Sequence, residues 1–117
     1  MVAWKECPEA QRAIADALPL LKRAKTVVIV EAQEGADGDT SLLRAGAFLA
    51  RHGIGATTRL LAREVDVPKQ LTDYARHMEA DLIVAGAYGH GRLREWIFGG
   101  VTRELLTRPP VPCLLSH

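Results

Sequence analysis

The 117-residue chain has little of what marks membrane, secreted and metal-binding proteins. Its longest apolar runs, such as "TVVIV" and "LIVAGA", fall far short of the roughly 18 residues that indicate a membrane span. The chain does not open with a cationic start followed by an apolar core, as a secretory leader would. Cys7 and Cys113 show no metal-ligand spacing, so we expect ordinary reduced thiols. These absences favour a cytoplasmic protein that does not act at a membrane.

The chain also lacks an excess of charge of either sign, since 15 basic and 14 acidic residues leave a formal net charge of +1. This balance creates no global field that would hold nucleic acid or an anionic membrane, so we predict no nucleic-acid partner. His52, His77 and His117 share no spacing that would bind a metal ion. With 48% hydrophobic residues and no linker or repeat, the composition indicates one domain over residues 1–117.

Catalytic motifs are missing as well. The sequence has no Ser/His/Asp order, Cys/His pairing, paired carboxylates or Gly-Lys-Ser/Thr loop. Near the glycine-rich segment, the candidates for a general base are limited to His90 and Glu6. We therefore assign no catalytic residue.

What the chain does contain is a regular alternation of strand-like and helix-like segments. Strands are predicted at "VAW", "TVVIV", "GATTRLLA", "DLIVAGA" and "VPCLLSH". Between them, apolar residues recur at helical spacing in residues 8–24, 39–53, 64–80 and 101–108. We expect Asp39 or Thr40 to cap the second helix, Gly53 to end it, and Asp66 to cap the third.

Strands and helices that alternate in this way favour a parallel sheet with helices on both faces, because right-handed crossovers allow little else. We therefore predict a doubly wound α/β fold with a five-stranded parallel sheet in the order 3-2-1-4-5. In this order the first and fourth strands lie side by side where the strand order reverses. Ligands of such sheets bind beyond the carboxyl ends of these strands, which here lead into residues 5–7 and 86–91.

The segment "GAYGHGRLREWIFGG", residues 86–100, contains five of the ten glycines. Glycine permits φ > 0 turns and lets backbone N–H groups approach a ligand closely. Gly99–Thr102 also opens the last predicted helix, whose N–H groups and dipole favour an anion, and Thr102 can add a hydroxyl donor. We therefore expect a phosphate-binding cradle, and the alternative is a flexible surface turn.

Other side chains of this segment each allow two interpretations. Arg92 and Arg94 can neutralise phosphates with their forked donors, or lie solvated on the surface. His90 can donate to a phosphate or simply be exposed. Tyr88 can stack on a base, whereas residues 96–98 are expected to anchor the loop to the core or meet a partner chain.

The spacing Gly86-x-x-Gly89, nine residues, then Gly99-Gly100 resembles the nucleotide-binding signature of the universal stress protein family. That signature is Gly-x-x-Gly, nine residues, then Gly followed by Ser or Thr. The resemblance covers nearly the whole chain, from the strand-helix order through "DLIVAGAYGHGRL" to the ending "GGVTRELLTRPPVPCLLSH". It implies an adenine nucleotide alpha hydrolase-like fold and a regulatory module of the stress response.

The resemblance also implies a ligand, since many members bind ATP through this loop. An adenine nucleotide, ATP foremost and with or without Mg²⁺, would bind here, and any turnover would be slow ATP hydrolysis. The residues that we assign to nucleotide binding are Gly86, Gly89, His90, Arg92, Gly99, Gly100, Val101, Thr102 and Lys5.

A homodimer through the terminal strand, residues 111–116, is expected from the resemblance and from the unpaired backbone groups of an edge strand. The alternative is a monomer with a covered edge.

Two places depart from the ATP-binding pattern of the family. Gly100 stands where a phosphate-binding Ser or Thr is expected. Lys5, Glu6 and Cys7 stand where Asp, Gly and Ser usually follow the first strand, so a carboxylate acceptor is replaced by a cation that can meet a phosphate instead. The alternative function is therefore a dimerisation and interaction module of the same fold that does not bind nucleotide.

The first predicted strand is short, because Met1 falls inside it where family domains have a few more apolar residues. We expect, as a hypothesis, either the second half of a tandem protein with a sister domain or a start codon assigned late.

Overall fold

The computed structural model describes residues 1–32, 38–62, 66–87 and 100–117. These residues form β1 (Val2–Ala3), α1 (Pro8–Leu21), β2 (Val28–Ala32), α2 (Gly38–Arg51), β3 (Thr57–Leu61), α3 (Val67–His77), β4 (Ile83–Gly86), α4 (Val101–Thr107) and β5 (Cys113–Ser116). The alternation predicted from the sequence is confirmed. Within the described ranges, no helix is both long enough and apolar enough to cross a membrane.

The five strands run parallel in one sheet, in the order β3-β2-β1-β4-β5. The predicted doubly wound topology is therefore confirmed. Strand β1 is short but central, because Val2 aligns with Ile29 of β2 on one side and with Val84 of β4 on the other. Its pairing continues at Trp4, whose backbone N–H donates to the Val30 carbonyl oxygen at 2.8 Å.

Different pairs of helices cover the two faces of the sheet. Val2, Ile29 and Val84 pack against α1 and α2, whereas Val30, Ile83 and Ala85 pack against α3 and α4, and all six are at most 4% exposed. Successive residues of a strand point to opposite faces. A sheet covered on both faces therefore needs the nearly continuous apolar runs seen in this sequence.

Prolines influence both ends of α1. Pro8 lies in the first turn, where a missing N–H group costs no helical hydrogen bond. The helix ends at Leu21, earlier than the predicted end at residue 24, and Pro19 lies inside its last turn. Beyond it, the Arg23 N–H group donates to the Leu20 carbonyl at 3.1 Å, which is the tighter pattern of a terminal turn.

One of the two predictions about helix caps is wrong. Helix α2 begins at Gly38, so Asp39 and Thr40 lie inside its first turn and neither precedes it. There the Asp39 carboxylate is still favourable, because it lies near the positive end of the helix dipole. The cap of α3 is confirmed, since Asp66 Oδ1 accepts a hydrogen bond of 3.0 Å from the Lys69 backbone N–H.

Strand and helix ends depend on pairing and on backbone conformation. Strand β2 covers Val28–Ala32 rather than residues 26–30, because its pairing with β3 continues to Ala32, opposite Leu61. The predicted stop of α2 at Gly53 is confirmed by a φ of 75°, a left-handed conformation that glycine adopts without strain.

Candidate functional site

Strands β1 and β4 end side by side. Ala3 aligns with Ala85, and both strands run in the same direction. Lys5 and Ala87, each two residues further on, therefore lie at the same edge of the sheet. Doubly wound sheets bind ligands at this edge, and the structure places Lys5 beside the end of β4 at Gly86, as the topology predicts.

Gly86 packs tightly against the first turn of α1. A Cβ atom at this position would lie 2.6 Å from the Ala10 nitrogen and 2.8 Å from the Glu9 carbonyl carbon. No side chain fits there unless the backbone of one element moves. Glycine at residue 86 is thus required by packing, whether or not a ligand lies beyond it.

The other described part of the predicted cradle is the start of α4. Gly100 precedes the helix and supplies no side-chain cap, and Val101 is half-buried against the core under α3 and α4. Thr102 is only 7% exposed, so its side chain lies in the protein interior. A Cβ atom at Gly100 would lie 3.2 Å from Pro68 Cγ, so Pro68 would have to shift slightly to admit a larger residue at this position.

Four of the residues assigned to nucleotide binding lie outside the described residues: Gly89, His90, Arg92 and Gly99. The same is true of Tyr88, Arg94 and residues 96–98, for which the sequence allows alternative roles. Their predicted roles remain predictions.

The loop after β1 connects the sheet edge to both helices of one face. Lys5 is half-buried, and its carbonyl oxygen accepts a 2.8 Å hydrogen bond from the Cys7 N–H group. Glu6 forms an ion pair with Arg44 of α2. Cys7 precedes α1 in an extended conformation, with φ −150° and ψ 157°. The cation Lys5 therefore lies at the sheet edge, and the acid that follows it, Glu6, is paired with Arg44.

The Cys7 thiol is a weak nucleophile in this position. Burial raises its pKa above the ordinary value of 9.0, and the Glu9 carboxylate raises it further, against the opposing effect of the Ala10 and Glu9 N–H groups. Burial likewise raises the pKa of Cys113. Both residues are free thiols in the structure, and both are protonated at neutral pH.

Sequence reasoning missed a buried acid beside this loop. Glu9 is only 4% exposed, and its Oε1 lies 3.4 Å from Arg12 Nη2. Arg12 Nε in turn donates a 2.8 Å hydrogen bond to the carbonyl oxygen of His117. The first turns of α1 are thereby joined to the end of β5. The available signal was the i,i+3 spacing of an acid and a base in a first helical turn.

Within the described ranges, no group of three or more His, Cys, Asp or Glu residues is placed to hold a metal ion.

The strand order, with β1 and β4 side by side where it reverses, defines a doubly wound α/β domain. The model of the universal stress protein family matches residues 1–117. The chain therefore belongs to the universal stress protein family. Among curated proteins, none matches the chain significantly.

Solved structures share this fold. A universal stress protein from Archaeoglobus fulgidus is 21% identical, with a TM-score of 0.79 over 99% of this chain and 95% of that one. A universal stress protein from the same organism in complex with dAMP is 21% identical, with a TM-score of 0.77 over 99% and 94%. A family member from Burkholderia pseudomallei is 25% identical, with a TM-score of 0.71 over 97% and 92%.

Proposed function

We propose that this chain is a cytoplasmic regulatory module of the stress response that binds an adenine nucleotide, ATP foremost. The phosphates, with any Mg²⁺ they bring, would lie against Gly86–Gly89 and Gly99–Thr102. The observation that carries the proposal is the meeting of the β1 and β4 ends where the strand order reverses. The dAMP complex of the Archaeoglobus fulgidus protein, which has the same fold, supports an adenine nucleotide as the class of ligand.

The charges around this edge favour an anion. Lys5 would meet a phosphate there, because its ammonium group cannot accept a hydrogen bond from ribose or base. Two acids of the segment after β1 are each paired with an arginine, Glu6 with Arg44 and Glu9 with Arg12, which reduces their repulsion of a phosphate. His90 and Arg92 would add donors to the phosphates.

Isothermal titration calorimetry with ATP, ADP, AMP and dAMP tests this function. We expect saturable binding, strongest for ATP because three phosphates offer the most contacts to Lys5 and the backbone N–H groups. Absence of any saturable heat at millimolar nucleotide would overturn the proposal.

Two variants locate the site. Gly89→Val should abolish binding, because its Cβ methyl groups would occupy the space that a phosphate needs. Gly55→Val is the matched control, since Gly55 is exposed and no atom lies within 4 Å of a Cβ placed there. The double variant Lys5→Asp/Glu6→Gly should strengthen binding by restoring an acceptor for the adenosine part.

A second function should be tested because packing alone explains one glycine of the predicted cradle, Gly86. Gly86 is required by α1, and Gly100 lies against Pro68. In this alternative, the chain binds no nucleotide and acts through dimerisation at residues 111–116. Among the described strands, β5 pairs only with β4 and forms an edge of the sheet, and in this alternative its outer backbone groups would pair with a second copy.

Size-exclusion chromatography with light scattering tests the homodimer. A mass near twice 12.8 kDa supports it, and a mass near 12.8 kDa refutes it. A dimer without nucleotide binding would favour the second function over the first.

A further inference from the structure

A cleft of about 250 Å³ lies between α1 and α2, on the face of the sheet that these helices cover. The residues that line it are Trp4, Glu6, Gln11, Ile14, Arg44, Ala45, Phe48 and Arg51. No residue assigned to nucleotide binding is in this set. The cleft is therefore a second concave site, which lies between α1 and α2 and is bordered by the loop after β1.

The floor of the cleft is apolar and held in place. Ile14 and Ala45 are 1% and 2% exposed, and both belong to the core under α1 and α2. Trp4 is also buried, and its indole Nε1 donates a 2.7 Å hydrogen bond to Ser41 Oγ. This bond fixes the plane of the indole ring. An apolar ligand would thus meet a preformed surface and would lose little free energy to reordering.

The wall formed by α2 combines an aromatic ring with two cations. Arg44, Phe48 and Arg51 follow each other at i, i+4 and i+7, so they lie on one face of the helix. Phe48 is half-buried against the core, and its ring centroid lies 4.8 Å from that of His52 at an angle of 54°. The ring is therefore oriented by packing as well as by the backbone.

The two arginines differ in their partners. Arg44 is paired with Glu6, whose side chain is 41% exposed at the mouth of the cleft. Arg51 is exposed, and no carboxylate among the described residues lies within ion-pair distance of it. The side chains that line the cleft thus have a net charge of +1. One guanidinium has no carboxylate partner among the described residues, and the second is held by a solvent-accessible pair that a ligand can exchange.

We propose that this cleft binds a small planar aromatic carboxylate. The ring lies against Phe48, over the apolar floor. The carboxylate accepts a forked pair of hydrogen bonds from Arg51. It also competes with Glu6 for Arg44.

Protein NMR with 2-naphthoate as the probe tests the proposal, and 2-naphthamide is its uncharged isostere. The chain has two tryptophans, and the variant Trp96→Phe assigns the indole N–H signal of Trp4. We expect this signal to shift and saturate with 2-naphthoate. Binding of 2-naphthamide should be weaker by about tenfold or more, because it cannot form charge-assisted hydrogen bonds.

The residues to be substituted, Glu6, Arg51 and Arg59, are exposed, so we expect the variants to fold. Arg51→Gln should weaken 2-naphthoate binding by about tenfold. Glu6→Gln should strengthen it, because Arg44 no longer has a competing carboxylate. Arg59→Gln is the control for general charge effects, since Arg59 is an exposed cation on β3 that does not line the cleft. Equal affinity for 2-naphthoate and 2-naphthamide, or an unchanged affinity for 2-naphthoate in Arg51→Gln, would overturn this proposal. Neither result would bear on the proposal that the chain binds a nucleotide.

Discussion

Gly86 and Ala10 are in such close contact that a Cβ atom on Gly86 would lie 2.6 Å from the Ala10 backbone nitrogen. This contact joins the end of β4 to the first turn of α1. The first glycine of the predicted phosphate cradle is therefore also a packing residue. Loss of nucleotide binding in a Gly86 variant would not by itself show that residue 86 touches the nucleotide.

Substitution of Gly86 should cost stability. We expect Gly86→Ala to lower the free energy of unfolding by about 1–3 kcal/mol, because the new methyl group overlaps backbone that cannot rotate away. Gly55→Ala is the control and should change it by no more than about 1 kcal/mol, since its Cβ meets no atom within 4 Å. Urea denaturation of both variants checks this. If Gly86→Ala is as stable as Gly55→Ala, helix α1 can move to admit the new methyl group without a cost in stability.

The hydrogen bond between Trp4 and Ser41 should couple these residues. Ser41→Ala leaves the buried indole N–H group without its acceptor and should cost about 1–3 kcal/mol. Trp4→Phe removes the donor and also leaves a cavity. A double-mutant cycle by urea denaturation should give a coupling of about 1 kcal/mol. A coupling near zero would mean that the bond contributes nothing to stability.

The Asp66 side chain should stabilise α3 through its hydrogen bond to the Lys69 N–H group. Asp66→Ala is expected to lower the free energy of unfolding by about 0.5–2 kcal/mol. Asp66→Asn keeps an acceptor oxygen and should recover most of this loss. Thermal unfolding of the two variants distinguishes a cap from a general charge effect, because a charge effect would make the two equally unstable.

Gly100 and Pro68 should behave as a coupled pair. Gly100→Ser adds a hydroxyl that can cap α4, but its Cβ would lie 3.2 Å from Pro68 Cγ. We expect the Ser substitution to be more favourable in a Pro68→Ala background than in the native chain, by about 0.5–1 kcal/mol. Urea denaturation of the four proteins measures this difference. If the effects of the two substitutions on the free energy of unfolding are additive, Pro68 moves aside for the serine without a cost in stability.

The two thiols should react slowly at neutral pH. Burial raises both pKa values above 9.0, so at pH 7.5 each thiolate is scarcer than in the unfolded chain. The folded state therefore binds these protons more tightly, and the resulting stability is complete at neutral pH and is lost as the pH rises through the raised pKa values. Reaction rates with a disulfide reagent, measured on Cys113→Ser and Cys7→Ser from pH 7 to 10, give the pKa of each remaining thiol. A Cys7 pKa below 9.0 would contradict it.

The sequence predicted the order of strands and helices because continuous apolar runs and helical spacing are local properties. The same runs also predicted burial on both faces, as Val30 and Ile29 show from opposite sides of β2. Local sequence signals predicted the first and last residues of helices and strands less accurately. Asp39 has the chemistry of a cap, yet α2 begins one residue before it. Strand β2 ends at Ala32 because of its partner Leu61, which no local pattern indicates.

The candidate site was predicted only in part, for a similar reason. Topology predicted that Lys5 lies beside the end of β4 at Gly86, since parallel neighbours end at the same edge of the sheet. The burial of Glu9 and its contact with Arg12 were not predicted, because an acid in a first helical turn is ordinarily solvated. The bond from Arg12 to His117 joins residues 105 positions apart. Such a contact exists only when α1 packs across β5.

By itself, the sequence determined the family and the sheet order, because residue spacing and alternating elements depend on neighbours along the chain. Only the tertiary structure decided why residue 86 of the predicted cradle must be glycine and what lies against Gly100. Gly86 has α1 against it and Gly100 has Pro68, and both contacts come from segments distant in sequence. It also decided that Trp4, Phe48 and Arg51 share a cleft. Close packing between distant elements depends on how these elements meet in space, which local sequence patterns do not specify.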